Sequence, residues 1–399
     1  MWQTVSLGDV CTISSSKRIF AKEYQTEGIP FYRGKEVIEK HNGNSVSTEL
    51  FISPERYEEI KSKFPVPKKG DILLTSVGTL GISWLVDEEE FYFKDGNLTW
   101  LRCNAKILSG YLYLWLNSAE AQNQIDAKCI GSTQKALTIE TLNKFQITLP
   151  SLGVQEKIVS LVKPIESRIN NNRKINENLL QQALAIYKAW FCDYVLSYGV
   201  LPESWHITTI DALSSLVTRG IAPKYDDNNT QIVLNQKCIR DHTIDVSLAR
   251  RHLPKKINEK WISKGDLLIN STGTGTLGRV AQVWFDANNM TVDSHVTIVR
   301  PKIPILQSYI GFWGLSHESE IEAQHTGSTG QTELPRDRVK AMELILPDGD
   351  TLSKFNELVI PMTDAVVSNQ KENARLSQLR DTLLPKLMSG EIDVSELEL

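Results

Sequence analysis

The sequence GDILLTSVGTLG, residues 70–81, is the strongest indication of the fold, because it returns later in the chain as GDLLINSTGTGTLG, residues 265–278. In both copies an apolar run predicts a short buried strand, and a glycine-rich loop follows it. The second copy carries two extra residues in that loop. Solenoid repeats have periods of about 20–50 residues, so a repeat this widely spaced predicts two duplicated domains instead.

Shorter motifs recur at nearly the same spacing and extend the repeat across both halves. Gly131-Ser132-Thr133 returns as Gly327-Ser328-Thr329, and Leu149-Pro150 returns as Leu346-Pro347. Trp2 and Trp205 open the two halves. Strand-like and helix-like patterns mix within each half, which indicates an α+β fold with a substantial sheet. We therefore predict two related globular domains, residues 1–150 and 199–347.

A helical segment follows each domain, over residues 151–198 and 348–399. Its core-facing positions step by alternating fours and threes, which is typical of a coiled-coil seam. In the first segment these are Ile158, Val162, Ile165, Ile169, Asn172, Asn176, Leu179, Ala183, Ile186 and Trp190. In the second they are Phe355, Val359, Met362, Val366, Asn369, Asn373, Leu376, Arg380, Leu383 and Leu387. Polar residues at seam positions fix register and partner, so we assign the four asparagines to helix pairing.

Both pairing directions would align the asparagines. In the antiparallel arrangement Asn172 faces Asn373, and Asn176 faces Asn369. Antiparallel helices also bring the end of the first helix close to the start of the second, whereas parallel helices would need a long return connection. We therefore predict a pseudo-twofold dumbbell, in which two long antiparallel coiled-coil helices separate the two α/β domains. A simple dimerisation stalk is the alternative interpretation of the helices.

The helix ends carry matching signals in the two halves. Gly153 and Asp350 occupy equivalent positions and are candidate N-caps. Pro164 and Pro361 also correspond, and each is expected to kink its helix or to restart it.

Composition limits the function. The net charge is −4, which predicts modest non-specific affinity for phosphates unless partners supply positive charge. The five cysteines are scattered and form no Cys-x-x-Cys pair, which argues against a disulfide framework or a zinc knuckle. No export signal and no membrane-length apolar run is present, so we expect a cytoplasmic protein without membrane contact.

Polar segments rich in hydrogen-bond donors recur in both halves. Arg, Lys, Asn and Gln suit base edges, while Ser and Thr suit phosphates, so these segments are candidate DNA contacts. In the first half they provide Lys17, Arg18, Arg33, Lys35, Thr75, Ser76, Ser132, Thr133, Gln134 and Lys135. In the second half they provide Arg219, Lys224, Asn235, Gln236, Lys237, Ser271, Thr272, Arg279, Ser328, Thr329 and Gln331. Each segment alone is also typical of an ordinary surface loop, and the recurrence favours the DNA interpretation.

Residues 273–278 match the dinucleotide pattern GxGxxG, but the pattern requires a helix after its third glycine. Here the following residues alternate like a strand, and the first-half copy lacks one glycine. The chain has no Asn-Pro-Pro-Tyr methyltransferase motif and no His-Glu-x-x-His or Gly-x-Ser-x-Gly motif. We therefore expect no catalytic residue, no metal site and no cofactor on this chain.

These features together resemble the specificity subunit of type I restriction–modification systems. The resemblance is carried by the paired motifs at Gly70 and Gly265, by IPFYR at residues 29–33, and by the two Leu-Pro stops. The ending LRDTLLPKLMSGEI, residues 379–392, is its most specific part. The resemblance covers nearly the whole chain, including its duplicated layout.

The resemblance implies that each globular domain is a target-recognition domain, which reads one half of a split site in double-stranded DNA. The helices would set the length of the unread spacer and dock two methyltransferase subunits, and motor–nuclease subunits can join the complex. S-adenosylmethionine, ATP and Mg²⁺ would belong to those partners. Two other classes stay open at this point, namely an enzyme that binds a nucleotide or S-adenosylmethionine at the Gly273 loop and a scaffold without DNA contact.

Overall fold

A computed structural model describes residues 2–44, 46–128, 136–254, 260–327 and 332–397. The chain forms two compact units, which we call unit 1 (residues 1–174 and 370–399) and unit 2 (residues 175–369). Both units mix helices with small sheets, so the predicted α+β class is confirmed. None of the helices in the described ranges is long and apolar enough to cross a membrane.

Unit 1 is built on a four-stranded and a three-stranded sheet. Its strands are β1 (Gln3–Ser6), β2 (Cys11–Ser14), β3 (Ile29–Tyr32), β4 (Phe51–Ile52), β5 (Ile72–Thr75), β6 (Ser83–Leu85), β7 (Tyr92–Phe93), β8 (Leu98–Cys103) and β9 (Gln146–Leu149). Its helices are α1 (Leu7–Val10), α2 (Gly34–His41), α3 (Pro54–Lys63), α4 (Ser109–Leu116), α5 (Ala119–Lys128), α6 (Ile139–Asn143) and the first part of α7 (Leu152–Tyr187). The strand orders are β1-β9, β2-β8-β5-β6 and β4-β3-β7.

Unit 2 repeats this plan with different sequences. Its strands are β10 (His206–Thr209), β11 (Ser214–Arg219), β12 (Gln231–Leu234), β13 (Ile239–Arg240), β14 (Thr243–Ile244), β15 (Arg250–His252), β16 (Leu267–Asn270), β17 (Val280–Gln282), β18 (Met290–Val292), β19 (Val296–Pro301) and β20 (Glu343–Leu346). Its helices are the last part of α7, α8 (Ile210–Leu213), α9 (Gln307–Ser316), α10 (Glu318–Ala323), α11 (Arg336–Ala341) and the first half of α12 (Gly349–Ser389). The orders β10-β20, β11-β19-β16-β17 and β15-β12-β18 match unit 1 strand for strand, and a hairpin of β13 and β14 is added. The predicted duplication is thus a duplication of topology.

The repeated Gly-Asp pair forms the turn into the central strand of each four-stranded sheet. Gly70 and Gly265 have φ values of +90° and +94°, which a residue with a side chain rarely adopts. The Asp71 carboxylate accepts the Lys68 N–H at 3.0 Å and the Trp100 indole N–H at 2.9 Å. In unit 2 the carboxylate of Asp266 accepts the Ser263 N–H at 2.8 Å and pairs with Arg300. The motif is therefore a structural turn that fixes where β5 and β16 begin.

Apolar helices fill the core of each unit. Helix α4 in unit 1 and helix α9 in unit 2 are almost wholly buried, and Trp115 and Trp313 are among the largest buried side chains. The Tyr111 hydroxyl donates to the Thr148 carbonyl at 2.8 Å, and the Tyr309 hydroxyl donates to the Ile345 carbonyl. Truncating a tryptophan in such a core costs about 3–5 kcal/mol, so these helices hold the sheets in place.

Within each unit, α7 and α12 pair in antiparallel fashion. In unit 1, Ile158 and Val162 share a core with Leu384 and Leu387. The Asn172 amide donates to the Asn373 side-chain oxygen at 2.9 Å. The antiparallel direction follows, because residues farther along α7 meet residues farther back along α12.

The same direction holds in unit 2. The Asn369 amide donates to the Asn176 side-chain oxygen at 2.8 Å. Tyr187 meets Phe355 with ring centroids 6.1 Å apart. The asparagine pairs expected for an antiparallel seam are therefore both hydrogen-bonded.

The helix starts differ from the sequence prediction. Helix α12 begins at Gly349, and its cap is Asp348, whose carboxylate accepts the Thr351 N–H at 2.8 Å. Asp350 therefore lies inside the first turn and not at the cap. Helix α7 begins at Leu152, so Gly153 is likewise inside the helix.

The prolines do not restart either helix. Pro164 lies inside the continuous α7, and Pro361 lies inside the continuous α12. Both prolines are exposed. Water can therefore hydrate the carbonyl that each proline leaves without its usual helical partner, which lowers the cost of keeping it there. Helix α7 ends in a π-turn at Lys188–Cys192.

Candidate nucleic-acid interface

At one end of each four-stranded sheet, where strands terminate, several loops meet. Strands alternate in direction, so the carboxyl ends of β2 and β5 lie beside the amino ends of β6 and β8. In unit 2 the carboxyl ends of β11 and β16 likewise lie beside the amino ends of β17 and β19. We call this the loop edge of each unit. The Ser76 N–H donates to the Asn97 carbonyl at 2.9 Å, and the Ser271 N–H donates to the His295 carbonyl at 2.8 Å, so two loops are joined identically in both units.

A further segment joins each loop edge from farther along the chain. The Leu137 N–H donates to the Ser76 carbonyl at 2.9 Å, and the Leu334 N–H donates to the Ser271 carbonyl at 2.8 Å. These segments directly follow two of the polar motifs predicted to contact DNA. The predicted contacts in those motifs lie outside the described residues, namely Ser132, Thr133, Gln134, Lys135, Ser328, Thr329 and Gln331.

Three predicted contacts are buried instead of facing a ligand. Thr75, Ser76 and Ser271 are 1%, 4% and 0% exposed. The Ser271 hydroxyl lies 2.6 Å from the Thr297 hydroxyl, and Ser76 pairs with Thr99 in the same way. The Thr75 hydroxyl accepts the Ile82 N–H at 2.9 Å. A side chain that is both buried and satisfied within the sheet cannot reach a groove, so we correct these three from DNA contacts to supports of the loop edge.

Two of the basic residues predicted to contact DNA in unit 1 already have partners within the protein. Arg18 is exposed and lies 2.8 Å from Asp95. The Lys17 ammonium lies 4.2 Å from the Phe64 ring centre. A phosphate could compete for both cations, because exposed pairs of this kind contribute little free energy.

Arg33 and Lys35 flank the start of α2. Arg33 lies 3.0 Å from the buried Glu36, and the hydrogen bond to that carboxylate raises the pKa of Arg33. Lys35 is exposed and its Nζ lies 3.4 Å from the Ser47 carbonyl. Arg33 is thus committed to its own helix, whereas Lys35 remains accessible.

In unit 2 the predicted residues divide in a similar way. Arg219 donates to the Leu334 carbonyl at 2.8 Å and pairs with Glu333, so it supports the loop edge. The side chain of Asn235 accepts the Lys237 N–H at 2.8 Å and caps a short turn. Lys224 and Lys237 are exposed, and Arg279 is half-buried. The lysines are therefore the accessible cations among these residues.

Gln236, Thr272 and His295 meet at the loop edge of unit 2. The Thr272 hydroxyl donates to the Gln236 side-chain oxygen at 3.3 Å and lies 2.7 Å from His295 Nδ1. His295 is exposed, while the other two are half-buried. The sequence prediction included Gln236 and Thr272 but missed His295. Matching β19 to β8 would have placed His295 opposite Asn97, at a loop that the prediction left out.

A second feature that the prediction missed is the Arg250 guanidinium, which lies 3.7 Å from the Tyr225 ring centre.

Burial raises the pKa of Asp293, which lies beside His295. The backbone N–H of His295 donates a hydrogen bond to the Asp293 carboxylate, and this bond partly opposes the rise. Among the described residues, no group of His, Cys, Asp and Glu side chains could hold a metal ion.

Comparison with known proteins shows which family the chain resembles. Residues 1–181 match the family model described as the type I restriction modification DNA specificity domain. The chain is similar to the type I specificity subunits, and its first part matches the model of their DNA specificity domain. The MjaIX specificity subunit of Methanocaldococcus jannaschii is 25% identical over 99% of this chain and 94% of its own length. A putative type I specificity subunit of Haemophilus influenzae is 32% identical over 43% of this chain and 42% of its own length.

A solved structure shares the fold. The S subunit of a type I restriction–modification system from M. genitalium superposes with a TM-score of 0.59 at 16% identity. The superposition covers 97% of this chain and 96% of that one. This likeness shows that the chain shares the fold of that S subunit over nearly its whole length.

Proposed function

We propose that this chain is the specificity subunit of a type I restriction–modification complex and that it reads a bipartite site in double-stranded DNA, one half with the loop edge of each unit. The observation that carries the proposal is that the two loop edges share one backbone frame while their accessible side chains differ. Gly34, Val77 and Asn97 of unit 1 occupy the positions of Gln236, Thr272 and His295 of unit 2. Two copies of one backbone frame that carry different accessible side chains suit the recognition of two different half-sites.

The paired helices would set the unread spacer between the half-sites. Helix α7 has 36 residues and α12 has 41. A helix rises 1.5 Å per residue, so α7 measures about 54 Å. The asparagine pairs resist slippage of one helix along the other, because any shift would bury an amide against an apolar residue.

Catalysis would come from partner subunits and not from this chain. We propose that two methyltransferase subunits dock on the helices, and that motor–nuclease subunits join to give a restriction complex. S-adenosylmethionine, ATP and Mg²⁺ would bind to those partners. The net charge of −4 supports this division, because partners can supply the positive charge that encloses the duplex.

The glycine loop at Gly273 offers little support for the enzyme alternative. After Gly278 the chain enters strand β17, whereas a dinucleotide site needs the amino end of a helix at that point. Equilibrium dialysis of the chain with NAD⁺ or S-adenosylmethionine tests the point directly. Tight binding would favour the enzyme, and no binding is expected.

The test of the proposed function is a genome-wide map of methylated bases in the source cell, with and without this gene. A split motif with a fixed spacer is expected to lose methylation when the gene is deleted. A scaffold without DNA contact would leave the map unchanged. A salt-dependent, sequence-selective mobility shift by the complex purified with its partners would exclude that scaffold independently.

A further inference from the structure

Because the two units share one topology, equivalent positions of their loop edges can be compared. Some residues are the same in both units and others differ. Both units keep the Gly-Asp turn and the buried serine–threonine pair. Both also keep the backbone bonds that join the loops. The accessible side chains upon this frame are the ones that differ. Specificity is therefore expected to reside in the changed positions.

Unit 2 uses these positions to build a hydrogen-bonded chain. Thr272 has a single hydroxyl proton, and it is donated to the Gln236 oxygen at 3.3 Å. The 2.7 Å contact between the same hydroxyl and His295 Nδ1 is then donated by the ring in its Nδ1–H tautomer, which is the tautomer that this arrangement assigns. The direction therefore runs from His295 through Thr272 to Gln236, and it fixes the orientation of the glutamine amide.

The backbone makes room for this amide. Gly273 has a φ of +106°, and a Cβ there would stand 2.8 Å from Gln236 Nε2. Any side chain at Gly273 would therefore displace the glutamine. In the part of the chain that the structure describes, no group accepts a hydrogen bond from Gln236 Nε2. The amide oxygen is thus occupied, and the NH₂ group remains to donate.

We propose that Gln236, oriented by Thr272 and His295, reads one keto base, guanine or thymine, in the half-site of unit 2. In the major groove guanine O6 and thymine O4 accept hydrogen bonds, whereas cytosine N4 donates them and adenine presents its acceptor, N7, directly beside the N6 donor. An amide that presents only N–H groups fits the keto bases and is rejected by cytosine. At adenine it meets the N6 donor, whose usual partner, the amide oxygen, is occupied by Thr272. The inference rests on the proposed function, since it names the chemistry of one contact at the same interface.

Unit 1 cannot make this contact. Gly34 replaces the glutamine and carries no side chain, and Val77 replaces the threonine. The half-site of unit 1 should therefore lack a keto-specific position of this origin. This difference also explains how two units with one topology read different sequences.

The experiment selects bound sites from a duplex library with both half-sites randomised, using the complex purified with its partners. The wild-type complex is expected to show one position in the unit 2 half-site that is restricted to guanine or thymine. Gln236→Glu turns the donor into an acceptor, so that position should shift towards adenine or cytosine. Affinity for the original site should fall about 10- to 100-fold, which corresponds to one well-formed base contact.

Three further variants make the result specific. Gln236→Ala removes the amide without adding charge and should relax the position without switching it. Thr272→Val removes the orienting hydroxyl and should also relax that position alone. Ser204→Glu adds the same charge as Gln236→Glu at an exposed residue outside the loop edge, and it should leave the selected motif unchanged.

The outcomes distinguish failure of the proposed function from failure of the Gln236 assignment. If the wild-type complex selects no split site, the proposed function fails. If it selects a split site and Gln236→Glu and Gln236→Ala select the same one, the assignment of Gln236 is overturned while the proposed function stands. A change at several positions of the half-site by Gln236→Ala would also overturn the single-contact assignment.

Discussion

The hydroxyl pair of Ser271 and Thr297 shows how a buried polar residue can support the proposed DNA-binding surface from within the sheet. Both residues are 0% exposed, and each hydroxyl satisfies the other. An unsatisfied hydroxyl in such an interior costs about 1–3 kcal/mol, so the pair holds the end of β16 against β19. The loop that carries Thr272 leaves the sheet at this point.

We predict that Ser271→Ala lowers the free energy of unfolding by about 1–3 kcal/mol, because Thr297 then lacks its partner. The double variant Ser271→Ala/Thr297→Val should cost less than the sum of the two single changes, since both ends of the bond are then removed. Denaturant unfolding measures the effect. The selected DNA motif should not change, and an altered motif at unchanged stability would contradict the buried role.

At this scale the sequence could name residue types but not their surroundings. It placed Gln236 and Thr272 among the candidates, because glutamine and threonine suit base edges and phosphates. It could not distinguish Thr272 from the neighbouring Ser271, since burial depends on the pairing of β16 with β19. It missed His295 because the contact with Thr272 joins residues that only the folded sheet brings together.

Among the elements, the paired helices α7 and α12 have a seam that contains charged and amide side chains. Arg168 donates two hydrogen bonds of 3.1 Å to Glu372, and the Asn172 amide donates to the same carboxylate at 2.7 Å. The bonds from Arg168 and Asn172 lower the pKa of Glu372 from its usual 4.5. The carboxylate is therefore a stabilising member of the seam when it is ionised.

A lowered pKa in the folded state means that this stabilisation is complete above pH 4.5 and is lost as the pH falls through the lowered value. We predict that Glu372→Gln weakens the protein at neutral pH and flattens its loss of stability in acid. Thermal unfolding across a pH series measures this. Glu357→Gln, at an exposed glutamate of the same helix, is the matched control and should leave the acid slope unchanged.

The helices also allow a test of the spacer. We predict that removing residues 169–175 together with the facing residues 370–376 shortens the unread spacer by about three base pairs. Seven residues span about 10 Å of helix, and DNA rises 3.4 Å per base pair. The Asn176–Asn369 pair survives this change and keeps the register. Methylation mapping reads the spacer, and a spacer of unchanged length would contradict its control by the helices.

Helices were the elements that the sequence predicted best, because a repeat of fours and threes is a strong local signal. Their ends were predicted less well. Asp348 caps α12 although Asp350 had the more suggestive position, because a cap depends on where the chain leaves the preceding strand β20. The short strands depend on partners far along the chain, so the glycine motif indicated that they exist but not their order.

For the whole molecule, the duplicated topology and the proposed function together imply that the two half-sites would be read independently. We predict that exchanging residues 199–347 for the corresponding domain of another type I specificity subunit replaces one half of the methylated motif. The other half and the spacer should not change, because unit 1 and the helices are retained. A methylation map of cells that carry the chimera tests this, and a change in both halves would contradict independent reading.

The duplication itself was predicted from the sequence, because Gly70-Asp71 and Gly265-Asp266 are unusual enough to be recognised as copies. The chain segments that make up each unit could not be predicted in the same way. Unit 1 includes residues 370–399, since Leu384, Leu387 and Met388 pack into its core. Such long-range packing leaves little local trace in the sequence.

The discontinuity of unit 1 has a consequence in time. Unit 2 is one continuous stretch, residues 175–369, whereas unit 1 lacks its last segment until the chain has been completed. At about 5–20 residues per second, the ribosome needs roughly 10–40 s to synthesise the intervening stretch of about 200 residues. During that interval Ile158 and Val162 lack their partners from α12 and expose an apolar surface. The half of the protein that is made first is thus finished last, and the nascent chain passes through a stage in which chaperones have a surface to bind.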